Sequence, residues 1–261
     1  MPPASKLSSD LPALAKRLAS EGPVKTLPTP RRIRLVFNGQ TIADTTSALA
    51  VWEHEYYPQY FLPVKAFKTQ FVKPSDDVED GGSAVARLWR IEVNDRSTDE
   101  AFEMLKGKLA GYVRVLFDAM DHWLEEDTPI YVHPKDPFKR IDIIHSTRRI
   151  RVRVGGKVVA DTNSSMHLFE TGLPPRYYMP LSAVDQSVLK PTKLRTKCPY
   201  KGEAEYYSII VDGKDFKDIV WYYTHPTIEC TPIQGMVCFY NEKVDIEIGG
   251  KAEDRPETVW S

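Results

Sequence analysis

The chain is poor in cysteine. Among 261 residues only Cys198, Cys230 and Cys238 carry a thiol. None belongs to a C-x-x-C pair, so a cysteine-built zinc site is not expected. So few thiols also argue against a disulfide framework and point to a reducing, cytoplasmic setting. Long apolar runs are missing too; none approaches the roughly 20 residues that span a bilayer. Residues Met1 to Ser9 are rich in Pro and Ser and show no basic-then-apolar leader. Charge of one sign is lacking, with 35 Lys+Arg against 36 Asp+Glu and a net charge of −1. Basic and acidic residues are interspersed, so neither a nucleic-acid nor a membrane partner is expected. No Gly-rich phosphate loop, metal constellation or flavin motif is seen, and no cofactor or metal is expected.

What the sequence does hold is a duplication. Shifted by 117 residues, Arg31-Arg32-Ile33-Arg34 falls on Arg148-Arg149-Ile150-Arg151, and Ala43-Asp44-Thr45 on Ala160-Asp161-Thr162. Glu53 falls on Glu170, Pro58 on Pro175, Tyr60 on Tyr177 and Pro63 on Pro180. Lys73-Pro74 still falls on Lys190-Pro191 without a gap. Two copies are too few for a solenoid and imply a tandem pair of small domains.

Each copy opens as a hairpin. Ile33 to Phe37 runs into Asn38-Gly39, and Ile150 to Val154 into Gly155-Gly156. Both pairs favour the primed turns that match strand twist. A third signal lies at Ile209-Ile210-Val211-Asp212-Gly213. The expected class is all-β, with few short helices. Asp10 to Ser20 predicts one helix with Asp10 as N-cap. Ser97 to Lys108 predicts a second, with Ala101, Leu105 and Leu109 on one face. The expected organisation is a flexible segment with a short helix over 1–30, a first repeat over 31–128 and a linker over 129–147. A second repeat over 148–250 and a flexible tail over 251–261 complete it.

The copies diverge after Pro74 and Pro191. There the second copy carries Lys197-Cys198-Pro199-Tyr200-Lys201-Gly202-Glu203-Ala204-Glu205-Tyr206-Tyr207. A thiol, amines, carboxylates and phenols crowd together in it. An extended Tyr-Lys-Gly-Glu segment puts Lys201 and Glu203 on one side, as a possible proton-shuttling or structural pair. Lys197 and Lys201 could activate the thiol of Cys198, which could equally be an inert packed group. Alternation predicts Trp221 and Tyr223 on one face of their strand and Tyr222 on the other.

Arg176-Tyr177-Tyr178-Met179-Pro180, Cys198-Pro199-Tyr200-Lys201-Gly202-Glu203, Trp221-Tyr222-Tyr223 and Ile233-Gln234-Gly235-Met236-Val237-Cys238-Phe239-Tyr240 together resemble the domain-of-unknown-function family numbered 427. Glu125-Glu126-Asp127, His133 and Asp136-Pro137 look like the join in its two-copy members. The resemblance implies a fold similar to the β-tent domains, which include the ligand-binding domain of cereblon and the methionine sulfoxide reductase B enzymes. It implies two antiparallel sheets per domain with a pocket between them. The zinc site of many such domains is not carried over, because its cysteine pairs are absent. No Gly-Ser motif with paired aspartates supports nucleotidyl transfer.

These readings converge on two tandem β-tent-like antiparallel domains with a pocket in the second. Lys201, Glu203, Tyr200 and Cys198 are the candidate catalytic residues. Tyr178, Tyr207, Trp221 and Tyr223 are candidate binding residues. Glu126, His133 and Arg140 either belong to a rigid connector or face a pocket. The expected function is cofactor-independent acid–base catalysis on a small aromatic or carbonyl-bearing compound. A non-catalytic binding module and a structural domain pair are the alternatives, because fold does not fix function.

Overall fold

The structure is a computed structural model that describes residues 10–258 and 261. The chain forms two compact units that divide between Asp136 and Pro137.

The first unit begins with α1 (Leu11–Ser20). Asp10 caps it by accepting from Ala13 N at 2.9 Å, and Leu11, Leu14, Ala15 and Leu18 form its buried face. Eleven strands follow: β1 (Lys25–Pro28), β2 (Ile33–Phe37), β3 (Gln40–Thr45), β4 (Leu49–Trp52), β5 (Gln59–Pro63) and β6 (Val72–Asp80). Then come β7 (Ser83–Val93), β8 (Arg96–Met104), β9 (Tyr112–Val115), β10 (His122–Glu125) and β11 (Thr128–Ile130). They make a seven-stranded sheet in the order β1-β4-β5-β9-β8-β7-β6 and a four-stranded sheet in the order β11-β10-β2-β3.

The second unit repeats this plan with β12 (Ile141–Ser146), β13 (Ile150–Val154), β14 (Lys157–Thr162), β15 (Ser165–Glu170), β16 (Arg176–Met179) and β17 (Leu189–Cys198). It continues with β18 (Gly202–Val211), β19 (Lys214–Tyr222), β20 (Val237–Phe239), β21 (Asp245–Ile248) and β22 (Lys251–Ala252). Its sheets run β12-β15-β16-β20-β19-β18-β17 and β14-β13-β21-β22. Strand for strand, the two orders match. Every pairing between these strands is antiparallel, as the hairpin signals require.

Each unit has two apolar layers. One lies between its two sheets: Ile33, Leu35 and Phe37 meet Leu62, Trp89 and Val113 in the first unit. Ile150, Val152 and Val154 meet Met179, Ile209 and Val237 in the second. The other layer covers the far face of the seven-stranded sheet. In the first unit α1 supplies it, packing on Val51, Phe61, Phe102 and Met104. In the second unit the connection between β19 and β20 supplies it: Cys230 and Ile233 pack on Leu168, Tyr178, Tyr206 and Trp221. A 3-10 segment, Ile228–Ile233, carries those two residues. A strand buried on both faces loses the simple alternation that marks a half-buried one.

That explains one correction. Residues 97–108, expected to be helical, form β8 and a 3-10 turn, Gly107–Leu109. Ala101 enters the inter-sheet core while its neighbour Phe102 enters the layer under α1, so both faces are apolar there. The apolar spacing that suggests a helix is the trace of two-sided burial.

The segment 129–147, expected to be an extended linker, holds the end of β11 and all of β12. These short strands satisfy the free edges of β10 and β15. Residues 10–30, expected to be flexible apart from a short helix, are built into the first unit as α1 and β1. The expected flexible tail is pinned over residues 251–258. β22 pairs with β21, Glu253 N donates to Ile246 O at 2.8 Å, and Arg255 reaches Asp245 at 2.6 Å. Residues 1–9 and 259–260 of the expected flexible ends lie outside the described residues.

Candidate functional site

The tip of the β17–β18 hairpin is a turn over Pro199, Tyr200 and Lys201. Three contacts stitch it to the connection after β19. Thr227 N donates to Lys201 O at 3.1 Å, Thr227 Oγ1 donates to Tyr200 O at 2.7 Å, and Cys230 Sγ approaches Tyr200 O at 3.6 Å. Gly202 makes this closeness possible. Its φ is +105°, and a Cβ there would meet His225 O at 3.0 Å.

So anchored, Lys201 sends its amine inward to Glu170 at the end of β15, and the two form an ion pair. The side chains are 10% and 4% exposed. Lys139 Nζ adds a second cation 3.9 Å from Glu170 Oε1 and lies 5.7 Å from the Tyr200 ring centroid. Burial acts to lower the Lys201 pKa. Electrostatic interaction with Cys198 and Glu170, together with the Glu170 hydrogen bond, outweighs it and holds the amine above its ordinary value, as ammonium.

Glu203 is not the partner of Lys201, as the extended reading expects. The left-handed backbone at Gly202 breaks the alternation, and Glu203 emerges exposed, opposite Lys197 in the ladder.

The aromatic residues divide by face. Tyr178, Trp221 and Tyr223 all join one apolar layer with Cys230, whose thiol lies near enough to Lys201 to act on it. Trp221 Nε1 donates to Tyr178 Oη at 3.0 Å with the rings perpendicular. Burial pushes the Tyr178 and Tyr223 phenols well above their ordinary range, so both stay protonated. Tyr207, expected with them, turns to the inter-sheet core and stacks on Tyr222 at 4.9 Å, because strand alternation puts it on the other face.

Of the thiols, Cys198 is partly exposed beside the turn, while Cys230 and Cys238 are buried. Burial raises the Cys230 thiol and lifts that of Cys238 to about 12. Among the described residues no group of three or more His, Cys, Asp or Glu is disposed to hold a metal.

The three remaining candidates have local partners. Glu126 is an exposed turn residue with φ of +52°, and its Oε1 accepts from Arg32 N at 2.9 Å. His133 is buried in the first unit and stacks on Tyr57 at 4.1 Å. Arg140 is exposed and pairs with Asp142.

Sequence reasoning missed Glu170, although its match to Glu53 marked it. Glu53 is likewise buried, and Arg114 of β9 neutralises it. Arg114 faces Phe61 of β5, and Cys238 faces Tyr178 of β16 at the equivalent place. Each unit therefore buries the same carboxylate but supplies its cation from a different strand. In the second unit the cation comes from the hairpin tip, beside the partly exposed thiol of Cys198.

A tandem pair of all-β units, each with a buried carboxylate matched to a buried cation, is the class this fold defines. A protein-family model described as a domain of unknown function (DUF427) matches residues 25–126 and 142–250. The chain belongs to that family and holds two copies of its domain. No curated protein matches the chain.

Proposed function

We propose that the second unit carries the working site of a cofactor-independent enzyme. Its substrate is a small carbonyl-bearing or partly aromatic compound. The observation that carries this reading is the buried Lys201–Glu170 pair, flanked by the thiols of the partly exposed Cys198 and the buried Cys230. Buried, opposed titratable groups cluster at sites of chemistry. In this reading the Lys201 ammonium donates to a substrate carbonyl oxygen and stabilises the enolate or alkoxide that develops there. Glu170 keeps the amine charged in low dielectric, accepts the proton that the substrate's α-carbon loses as the enolate forms, and returns it when the product is reprotonated. A ligand enters past Cys198 and Pro199, the partly exposed residues of the turn. Isomerisation, cyclisation, elimination and hydrolysis all fit such a pair. The even charge balance and the free thiols support a cytoplasmic setting.

A second reading has its own support. Tyr178 and Trp221 interlock through a hydrogen bond in the middle of the layer. That favours a non-catalytic binding or structural unit in which the ion pair only anchors the hairpin. Turnover of a metabolite library, detected by mass, separates the two. Compounds converted by the wild type but not by folded Lys201→Met support the enzyme. Equal conversion by both proteins removes Lys201 from the chemistry. No conversion, with saturable binding that Lys201→Met retains, supports the second reading.

A further inference from the structure

One place in the shared plan is filled in the first unit and hollow in the second. In the first unit Trp123 stacks flat on Phe117 with ring centroids 5.2 Å apart, and Ile130 packs against the same core. Ladder register gives the equivalents. Trp123 faces Leu35 of β2 as Ile246 faces Val152 of β13. Ile130 follows Pro129 of β11 as Glu253 follows Ala252 of β22. Phe117 and Asn241 each stand second after their strand, β9 or β20. Two aromatic rings and an isoleucine are thus exchanged for Asn241, Ile246 and Glu253.

The exchange leaves a cavity of about 80 Å³ whose lining includes Pro174, Pro175, Pro256, Asn241, Glu253 and Asp254. Its polar groups are acceptors. Asn241 is 8% exposed, and its Nδ2 donates to Pro175 O at 3.0 Å. That bond fixes the amide, and the other end, Oδ1, is buried without a partner. Tyr177 also lines the cavity; its Oη donates its proton to Glu253 Oε2 at 3.3 Å, which leaves the oxygen as an acceptor. The carboxylates of Glu253 and Asp254 are exposed at the rim. Of the nearby cations, Arg255 pairs with Asp245 and Arg176 with Glu242, while Arg148 lies beside His167 at 3.4 Å and acts on the Tyr177 phenol.

We propose that this cavity binds the ammonium group of a small primary alkylamine. The N–H groups go to Asn241 Oδ1 and Tyr177 Oη, the charge to the rim carboxylates, and the alkyl stem against the proline walls. The volume is several times the roughly 10–15 Å³ that one water needs, enough for an ammonium with a short chain. An alkylammonium suits the site better than a metal ion. The proline, Val244 and Ile246 walls are apolar, and among the described residues no group of three or more His, Cys, Asp or Glu is disposed to hold a metal.

The test is an NMR titration of the full chain with n-propylammonium chloride. n-Propanol and calcium chloride at matched ionic strength are the controls. Saturable shifts are expected at Tyr177, Asn241, Val244 and Ile246, with none from n-propanol. Glu253→Gln, an exposed and nearly isosteric change, should weaken binding about tenfold or more, the worth of a hydrogen bond to a charged group. Asn241→Leu should abolish it, whereas Lys201→Met should leave it unchanged, so failure here does not bear on the Lys201 site. Non-saturating shifts, an equal response to n-propanol, or calcium binding in its place would overturn the proposal. So would a soaked crystal with only water on Asn241 Oδ1.

Discussion

Replacing Lys201 and Glu170 singly and then together measures how the second unit holds its buried charge. Both side chains are at least nine-tenths buried, so removing one strands the other. Stranding a buried charge costs about 3–5 kcal/mol. The two single changes are not equal. In Lys201→Met, Glu170 keeps Lys139 within 3.9 Å, which puts the cost near about 3 kcal/mol. In Glu170→Gln the ammonium has no buried carboxylate left, and the cost goes towards about 5 kcal/mol. The double change Lys201→Met with Glu170→Leu removes both charges at similar volume and should lie within about 1–2 kcal/mol of the wild type. Glu170→Gln should also acquire a pH dependence. An unpartnered buried lysine titrates below its unfolded value, so the unfolded chain binds more protons and stability rises with pH. Urea unfolding followed by amide resonances of the second unit reads all of this, and tests whether that unit unfolds in two-state fashion. Additive single changes, with a coupling below about 1 kcal/mol, would refute the reasoning.

Three further outcomes follow from local geometry. Gly202→Ala should destabilise by about 1–3 kcal/mol, since φ of +105° strains any Cβ and His225 O stands 3.0 Å away; an unchanged melting temperature would contradict it. Burial acts to raise Glu242, but the paired hydrogen bonds of Arg176 and the Thr258 hydroxyl outweigh it and bring the carboxyl to about 2 from an ordinary 4.5. A folded value below the unfolded one stabilises above the unfolded value, and that contribution is lost as pH falls through about 2. Arg176→Met should therefore move the acid-unfolding midpoint to higher pH, as circular dichroism would show. Iodoacetamide should label Cys198 in the folded protein and reach Cys230 and Cys238 only on unfolding; equal labelling, read by peptide mass, would contradict the assigned burial.

Local signals read well from sequence. Asp10 announced α1, and Asn38-Gly39 and Gly155-Gly156 announced the hairpins that open both copies. Together with the shift of one copy onto the other, they made two tandem antiparallel units legible. Signals that depend on distant partners did not read. Lys201 and Glu170 lie on different strands, and only the fold brings them together. Glu203 looked like the partner because an extended chain was assumed, and Gly202 breaks that assumption with one dihedral. β8 looked helical because its two faces enter two different cores. β11, β12 and β22 are short edge strands whose pairing is set by the neighbour they complete. The cavity at Asn241 shows only when the two units are compared position by position, because what defines it is the missing bulk of Phe117 and Trp123.

The most direct measurement is turnover by the double variant Lys201→Met with Glu170→Leu, which should keep the fold while removing the pair. Wild type and variant are compared on whichever carbonyl-bearing compound the wild type converts, with folded protein quantified by NMR. The account predicts a folded double variant with no turnover. A folded double variant that converts the compound at the wild-type rate would contradict it.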